Sequence, residues 1–319
     1  MLYFYQIYLY RLLPIGVQNS LSLYCLCWLH CNNINIKRYF KQYFLGLWYY
    51  SAKRRDDMKI THYLLTLLLL LPSMVIADFF WVAVLAKESG LKEQTILSKT
   101  TLNHIRSDVK KAWKEGYAIT DISHSPRLWS VVLSKGTGVS KQFYIHRRLM
   151  REFQEAVNYY HHKGYALRNV ENGVGEWLAV FEHGGAVEGT KLVVVRDVEQ
   201  LKIEIKKYQE QGLLIVDVEA ALEYWTAVFT KKAPFKEQNY ALIEDKKALE
   251  ESIAKHWKEG YSLQSLEYGN NQWFALFCKY DTLRKETYVV SDKYIRFQKL
   301  IQDYWKKGYH IIDLAEGRK

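Results

Sequence analysis

The stretch WKEGYAITDISHSPRLWSVVLSKGTGVSKQFY, residues 113–144, contains every marker of a unit that repeats along the chain. A glycine, usually followed by tyrosine, recurs every 48 residues, and a tryptophan that opens an apolar run recurs at the same interval. The glycines are Gly116, Gly164, Gly212, Gly260 and Gly308, and the tryptophans are Trp81, Trp129, Trp177, Trp225 and Trp273. Two independent markers with five members each and no insertions indicate a tandem repeat of five units.

The segments between these markers predict the secondary structure of one unit. The apolar run that opens at each tryptophan, such as WSVVLSK from Trp129, is typical of a strand buried on both faces. A turn and a second strand follow, and then an amphipathic helix. In the last unit this helix spans about residues 294–307, and Phe297 is expected near the edge of an apolar face formed by Ile295, Phe297, Leu300, Ile301 and Tyr304. The glycine ends this helix because it readily adopts the left-handed conformation, and a third strand follows. Each unit is therefore predicted to be β-β-α-β.

The two ends of the repeat array predict how the units are arranged. A tryptophan strand opens the array and a post-glycine strand closes it, whereas at the inner junctions these two strands follow each other directly. Pairing of the first strand with the last would remove both exposed sheet edges, which an open array has to cap. We expect a mixed α/β repeat protein, a closed and propeller-like ring of five β-β-α-β modules whose N- and C-terminal strands close the ring.

The residues before the repeats resemble a secretory leader. Residues 58–77 combine the positive charge of Lys59, an apolar run and a small residue at the expected cleavage site, which are the three parts of a signal peptide. Residues 1–57 are interpreted as a non-native upstream extension or a disordered, apolar segment, and a genuine membrane anchor is the alternative. Residues 78–319 then form a single five-repeat domain, secreted or periplasmic, with no stable membrane anchor after signal cleavage.

Charge and cysteine content narrow the class of partner. Residues 78–319 hold 37 basic and 32 acidic residues, a mildly basic balance that permits an acidic partner but does not argue for nucleic acid. Cys278 is the only cysteine after residue 77, so this region cannot form an internal disulfide framework. The spacing of Cys25, Cys27 and Cys31 resembles a metal motif but lacks a fourth ligand other than His30, and we expect neither metal nor cofactor.

The repeat pattern resembles known families. Trp113–Ile119, Trp129–Lys135 and Gln142–Tyr144 resemble a tandem repeat of nearly this length in secreted bacterial proteins, in fungal polyglycine hydrolases and in some plant casein-kinase-like proteins. In those relatives the repeats lie outside the catalytic domain, so the resemblance implies a non-catalytic role. Unit three departs from the pattern with Leu213 and Thr190. Five β-β-α-β units in a ring also look like the pentein α/β propeller, a similarity at the level of fold alone.

Two polar positions recur in all five units. Six residues after the tryptophans stand Lys87, Lys135, His183, Lys231 and Lys279. Five residues after the glycines stand Asp121, Asn169, Asp217, Ser265 and Asp313. Both sets are expected where a buried strand ends, and together they predict a charged mouth of a central channel that holds a small anionic or zwitterionic ligand. The alternative is that each lysine pairs with a neighbouring aspartate and the repetition copies that pair.

Cys278 and His183 are the candidate residues for catalysis. Cys278 lies next to Lys279, and a thiol with a lowered pKa beside cations is nucleophilic. His183 is the only histidine at a ring position and would have to be the base. We expect a secreted, non-catalytic module that binds an unknown protein or a small anionic or zwitterionic ligand. The alternatives are a pentein-type small-molecule hydrolase that uses Cys278, and a structural envelope protein.

Overall fold

The computed structural model describes residues 79–125, 128–173 and 175–318, which form five helices and fifteen strands. The helices are α1 Leu102–Lys114, α2 Met150–His162, α3 Val198–Gln209, α4 Lys246–Lys258 and α5 Tyr294–Trp305. The strands are β1 Phe79–Ala86, β2 Gln94–Lys99, β3 Ala118–Ser125, β4 Leu128–Ser134, β5 Lys141–Arg147, β6 Ala166–Gly173, β7 Glu176–His183, β8 Lys191–Val195, β9 Leu214–Ala220, β10 Trp225–Thr230, β11 Glu237–Ile243, β12 Ser262–Gly269, β13 Gln272–Lys279, β14 Glu286–Ser291 and β15 His310–Arg318. The predicted signal peptide and residues 1–57 lie outside the described residues.

The strands form five antiparallel sheets of three strands, and each sheet draws on two sequence units. The strand orders are β2-β4-β3, β5-β7-β6, β8-β10-β9, β11-β13-β12 and β14-β1-β15. In every sheet a tryptophan strand lies between the second strand and the post-glycine strand of another unit. The predicted element order is therefore confirmed, although the tryptophan strand pairs outside its own unit. In the fifth sheet β1 pairs with β15, with Phe79 opposite Arg318 and Ala86 opposite His310, so the first and last strands lie side by side as predicted.

The repeated glycines end the helices as predicted. Gly116 has a φ of 85°, and the glycines at the same position in the other four units have φ between 74° and 83°. The Tyr117 amide donates to the Ala112 carbonyl and the Gly116 amide to the Trp113 carbonyl. This pair of bonds satisfies carbonyls that the end of a helix leaves free, and it requires a left-handed residue.

Helix α5 differs from the prediction in the positions of two apolar residues. Phe297 and Ile301, four residues apart, are buried at 1% and 0% exposure, whereas Ile295 is 83% exposed. Two residues along an α-helix correspond to a rotation of about 200°, so Ile295 and Phe297 face opposite sides. The assignment of Ile295 to the buried face and of Phe297 to the edge of that face was therefore wrong.

Both faces of the tryptophan strands are buried, and each face has its own packing partner. In β7, Trp177 and Phe181 belong to the cluster that includes Phe153 of helix α2. Leu178 and Val180, which point the opposite way, join the apolar cluster of the preceding sheet. Alternate residues of a strand face opposite sides of a sheet, so each central strand packs against a helix on one side and another sheet on the other. This arrangement explains why these strands are mostly apolar on both faces.

The five post-glycine strands lie next to one another. Strand β6 contacts β3 and β9, β12 contacts β9 and β15, and β15 also contacts β3. These strands carry the second predicted polar set, and they therefore bring it together.

Candidate functional site

A β-bulge in every post-glycine strand redirects the residue that follows it. In β3 the register shifts between Ile119 and Asp121, and the other four strands show the same shift at the same position. Bulges change the direction of the next side chain. The residues after the bulges are the predicted polar set Asp121, Asn169, Asp217, Ser265 and Asp313, and all five are buried. They were expected where a strand ends, but Asp121 is the fourth residue of the eight in β3, so this placement was wrong.

The three aspartates of this set each accept a hydrogen bond from a backbone amide of a neighbouring post-glycine strand. The Oδ2–N distances are 2.7 Å for Asp121 and Leu314, 2.7 Å for Asp217 and Val170, and 2.9 Å for Asp313 and Leu266. Asn169 Nδ2 lies 3.4 Å from one carboxylate oxygen of Asp121 and 3.4 Å from one of Asp217. The aspartates therefore act as links between strands that belong to different sheets.

A second row of carboxylates makes the same kind of link and was missed by the sequence analysis. Two residues further along three of the strands stand Glu171, Glu219 and Glu267. They accept bonds from the amides of His124 at 2.9 Å, Asn172 at 2.9 Å and Ala220 at 3.3 Å, respectively. Their spacing of 48 residues was the signal that could have revealed them. We refer to Asp121, Asp217, Asp313, Glu171, Glu219 and Glu267 as the inner carboxylates.

Burial raises the pKa of every inner carboxylate. It raises the pKa of Asp217 to about 6 and that of Asp313 to about 7. The pKa values of Asp121, Glu171, Glu219 and Glu267 lie well above their ordinary range, and repulsion between neighbouring carboxylates adds to the effect of burial. Amide donors oppose this shift because they stabilise the charged form.

Arg168 supplies a positive charge that acts on all three aspartates. It is the bulge residue of β6, and the equivalent positions of the other units hold Thr120, Val216, Gln264 and Ile312. Its charge lowers the pKa values of Asp121, Asp217 and Asp313, against the larger effect of burial. In the part of the chain that the structure describes, no group of three or more His, Cys, Asp or Glu side chains has an arrangement that could hold a metal ion. The Arg168 guanidinium therefore offsets part of the buried negative charge of the three aspartates.

The predicted lysine set lies elsewhere, and three of its lysines contact a glutamate or a tyrosine. Lys135 Nζ lies 2.8 Å from Glu93 and Lys279 Nζ lies 3.1 Å from Glu237. Lys87 Nζ lies 5.1 Å from the centre of the Tyr309 ring, Lys231 is exposed, and His183 Nδ1 lies 3.4 Å from Ser140 Oγ.

The lysines and the aspartates occupy different depths of the sheets. Lys87 directly follows Ala86, which pairs with His310, whereas Asp313 pairs with Val84. Three residues of strand separate the two levels, which corresponds to about 10 Å. The structure therefore separates the two sets that were predicted to share one mouth.

Cys278 is buried and its thiol is not activated. The side chain is 0% exposed, and the thiol accepts a hydrogen bond from Gln238 Nε2 at 3.3 Å. Burial raises its pKa to about 12, opposite to the lowering expected from Lys279. The Lys279 ammonium instead pairs with Glu237 and lies 4.3 Å from the centre of the Tyr261 ring.

Comparison with known proteins gives one partial match. A family model described as Domain of unknown function (DUF7477) matches residues 166–319, from the first residue of β6 to one residue beyond β15. The match covers just under half of the chain. A search of curated proteins found no match. Among the described helices, none has the length and apolar character required to span a bilayer.

Proposed function

We propose that residues 78–319 form a closed, propeller-like ring of five sheets that serves as a secreted, non-catalytic binding module. The observation that carries this proposal is the use of every inner carboxylate as a link between strands, while lysines stay at the sheet ends, where a partner has access. Acids that hold the fold together are not free to act on a substrate.

Closure of the ring is supported by the sequence offsets of these links. Asp217 and Asp313 each bind an amide 47 residues earlier in the chain. Asp121 binds Leu314, 193 residues later. Five repeats of 48 residues span 240 positions, and 193 is 47 short of that span. The Asp121 link is thus the same link as the others, carried across the junction between the last unit and the first.

A glutamine that bonds to the backbone of another strand shows the same relation between sequence separations. The side-chain amide of Gln142 accepts from the backbone N–H of Ile119 through Oε1 and donates to its carbonyl through Nε2. Gln238 makes the same two bonds with Ile215, and each pair is 23 residues apart. Gln94 makes these two bonds with Ile311, 217 residues away, which is 23 short of 240. An independent side chain therefore supports the same closure.

Binding rather than catalysis also fits the environment of Cys278. A pentein-type hydrolase that uses this residue requires a thiolate near neutral pH. A buried thiol with a pKa of about 12 is almost entirely protonated there. The hydrolase alternative therefore has less support than the binding module.

The ligand proposed for the module is a small anionic or zwitterionic molecule. In all five sheets the C-terminal end of the tryptophan strand lies beside the N-terminal end of the post-glycine strand. Neighbouring post-glycine strands are linked at two successive levels, for example Asp217 to Val170 and Glu219 to Asn172. The residue numbers rise together on both strands, so the strands run in the same direction. The lysine set thus lies at one common end, where an anion would be attracted.

Thermal unfolding with citrate and glutamate, at low and high salt, tests the binding function. We expect stabilisation at low salt that weakens at high salt, because ligand binding to the native state raises the unfolding temperature and salt screens charges. Absence of stabilisation at any salt concentration would overturn the proposed ligand class.

The secreted location has its own test. The chain is produced with a C-terminal tag, and the N-terminus of the exported product is sequenced. A first residue near Asp78 supports signal cleavage, whereas an intact N-terminal segment contradicts it.

A further inference from the structure

Two sheets carry a repeated triad at the end where the lysine set lies. In the sheet of β2, the Glu93 carboxylate accepts from Lys135 Nζ at 2.8 Å and from the Tyr117 hydroxyl at 3.0 Å. The Lys135 ammonium also lies 4.7 Å from the centre of the Tyr117 ring. One carboxylate thus satisfies an ammonium and a hydroxyl.

The second triad has the same composition. Glu237 accepts from Lys279 Nζ at 3.1 Å and from the Tyr261 hydroxyl, and Lys279 Nζ lies 4.3 Å from the centre of the Tyr261 ring. Two occurrences 144 residues apart indicate that this position in a sheet suits a carboxylate surrounded by donors.

In the fifth sheet the carboxylate is replaced by a second ammonium. Lys285 stands where Glu93 and Glu237 stand in their units, and Lys87 and Tyr309 occupy the lysine and tyrosine positions. The backbone is the same, because the Lys87 amide donates to the Lys285 carbonyl at 2.9 Å as the Lys135 amide does to the Glu93 carbonyl at 2.8 Å. The Lys87 ammonium still lies over the Tyr309 ring. We call Lys87, Lys285 and Tyr309 the Lys87 corner.

In the part of the chain that the structure describes, no carboxylate is bonded to the donors of the Lys87 corner. Opposed like charges on neighbouring strands are unfavourable, so a bound anion would relieve this repulsion. Glu88 is exposed and follows Lys87 directly, but within the described ranges it forms no ion pair with either lysine. Lys141 also replaces the glutamate in the sheet of β5, but His183 takes the place of the second lysine there, so the positive charge is smaller.

We propose that the Lys87 corner binds the carboxylate group of a small ligand in the position that Glu93 and Glu237 occupy in their own sheets. This deepens the proposed binding function by naming its site and the group it recognises. The ligand supplies the missing acceptor to Lys87, Lys285 and the Tyr309 hydroxyl.

Acetate titration of the full-length, ¹⁵N-labelled chain at constant ionic strength tests this site. The amides of Lys87, Lys285 and Tyr309 are expected to shift saturably, with a dissociation constant in the millimolar range, as suits an exposed site. The K285E variant supplies the acceptor within the chain, so acetate binding at the corner should weaken at least about tenfold. The same variant should unfold at a higher temperature than wild type at low salt.

The reciprocal variant is the matched control. Glu93→Lys removes the carboxylate from the first triad, and the amides of Lys135 and Tyr117 should then gain the saturable response to acetate. Unchanged acetate shifts at the corner in K285E, or no saturable shift there in wild type, would overturn the inference. If glutamate or citrate raises the unfolding temperature but the amides of the Lys87 corner do not shift, the proposed binding site is wrong and the proposed binding function is still supported. If no anion perturbs any amide or the unfolding temperature, both proposals fail.

Discussion

The Asp121 carboxylate in β3 accepts a hydrogen bond from the backbone amide of Leu314 in β15, with 2.7 Å between Oδ2 and nitrogen. The two residues are 193 positions apart, and both are buried. This bond joins the first unit to the last through an acid whose counterparts Asp217 and Asp313 join neighbouring units. It is therefore the most direct place to test how the two ends of the array hold together.

Replacement of Asp121 by alanine should loosen the junction between β3 and β15. The Leu314 amide would lose its acceptor in a buried position, which costs about 1–3 kcal/mol of unfolding free energy. Hydrogen exchange of the Leu314 amide should accelerate accordingly. Asp217→Ala is the control, because it should expose the Val170 amide and leave Leu314 protected. Unchanged protection of Leu314 in Asp121→Ala would show that the junction does not depend on this bond.

The inner carboxylates predict that the protein becomes less stable as the pH rises. Burial raises the pKa of Asp217 to about 6 and that of Asp313 to about 7, above the ordinary value of 3.8. Between the ordinary and the raised values, the folded state binds more protons than the unfolded state, so the unfolding free energy falls with increasing pH. Urea unfolding from pH 4 to 8 should show a decrease on the order of 6 kcal/mol, because the two pKa values are raised by about 2 and about 3, and each pKa unit corresponds to about 1.4 kcal/mol. The steepest fall is expected between about pH 4 and 6.

Asp217→Asn provides the control for this pH dependence. The amide cannot ionise, so the unfolding free energy of the variant should fall less steeply over the same range. A stability that stays constant or rises from pH 5 to 7 in the wild type would contradict the raised pKa values.

The repeats made the elements and their order predictable, because each marker is a local constraint. A left-handed residue is needed where a helix ends, so Gly116 and its counterparts reveal the helix ends directly. A strand buried on both faces is mostly apolar, so the run from Trp129 indicates a central strand. Neither inference requires knowledge of which strands pair.

The candidate site was less predictable because its geometry arises from the bulges. The pattern of polar residues identified Asp121, but the bulge at Thr120 that directs its side chain leaves no mark in a single sequence. The sheets also exchange tryptophan strands between units, which places Lys135 beside Glu93 rather than beside an aspartate. Pairing between units is a tertiary property, and the spacing of residues does not report it.

Cys278 should resist alkylation in the folded protein. A buried thiol with a pKa of about 12 offers little thiolate and little access, so iodoacetamide should label it slowly at pH 7–8. Addition of urea above the unfolding midpoint should bring the rate to that of a free cysteine. The sequence also contains Cys25, Cys27 and Cys31, so the modified site is read by peptide mass spectrometry. Fast labelling of Cys278 in the folded protein would favour the hydrolase alternative.

Gly317 should tolerate no larger side chain, because it lies against the ring of Trp273. A Cβ atom at Gly317 would overlap this ring and meet Phe80 at 2.9 Å, and both side chains are buried, so neither can move freely. Gly317→Ala is therefore expected to lower the unfolding free energy by about 1–3 kcal/mol, the usual cost of overpacking. It should also change the near-UV circular dichroism of the displaced indole.

Gly260→Ala is the control, since a Cβ atom there meets nothing within 4 Å and only its φ of 80° is unfavourable. That variant should lose stability through its backbone and keep the tryptophan spectrum. An unaltered spectrum in Gly317→Ala, with full stability, would mean that the contact between β15 and Trp273 is looser than the structure indicates.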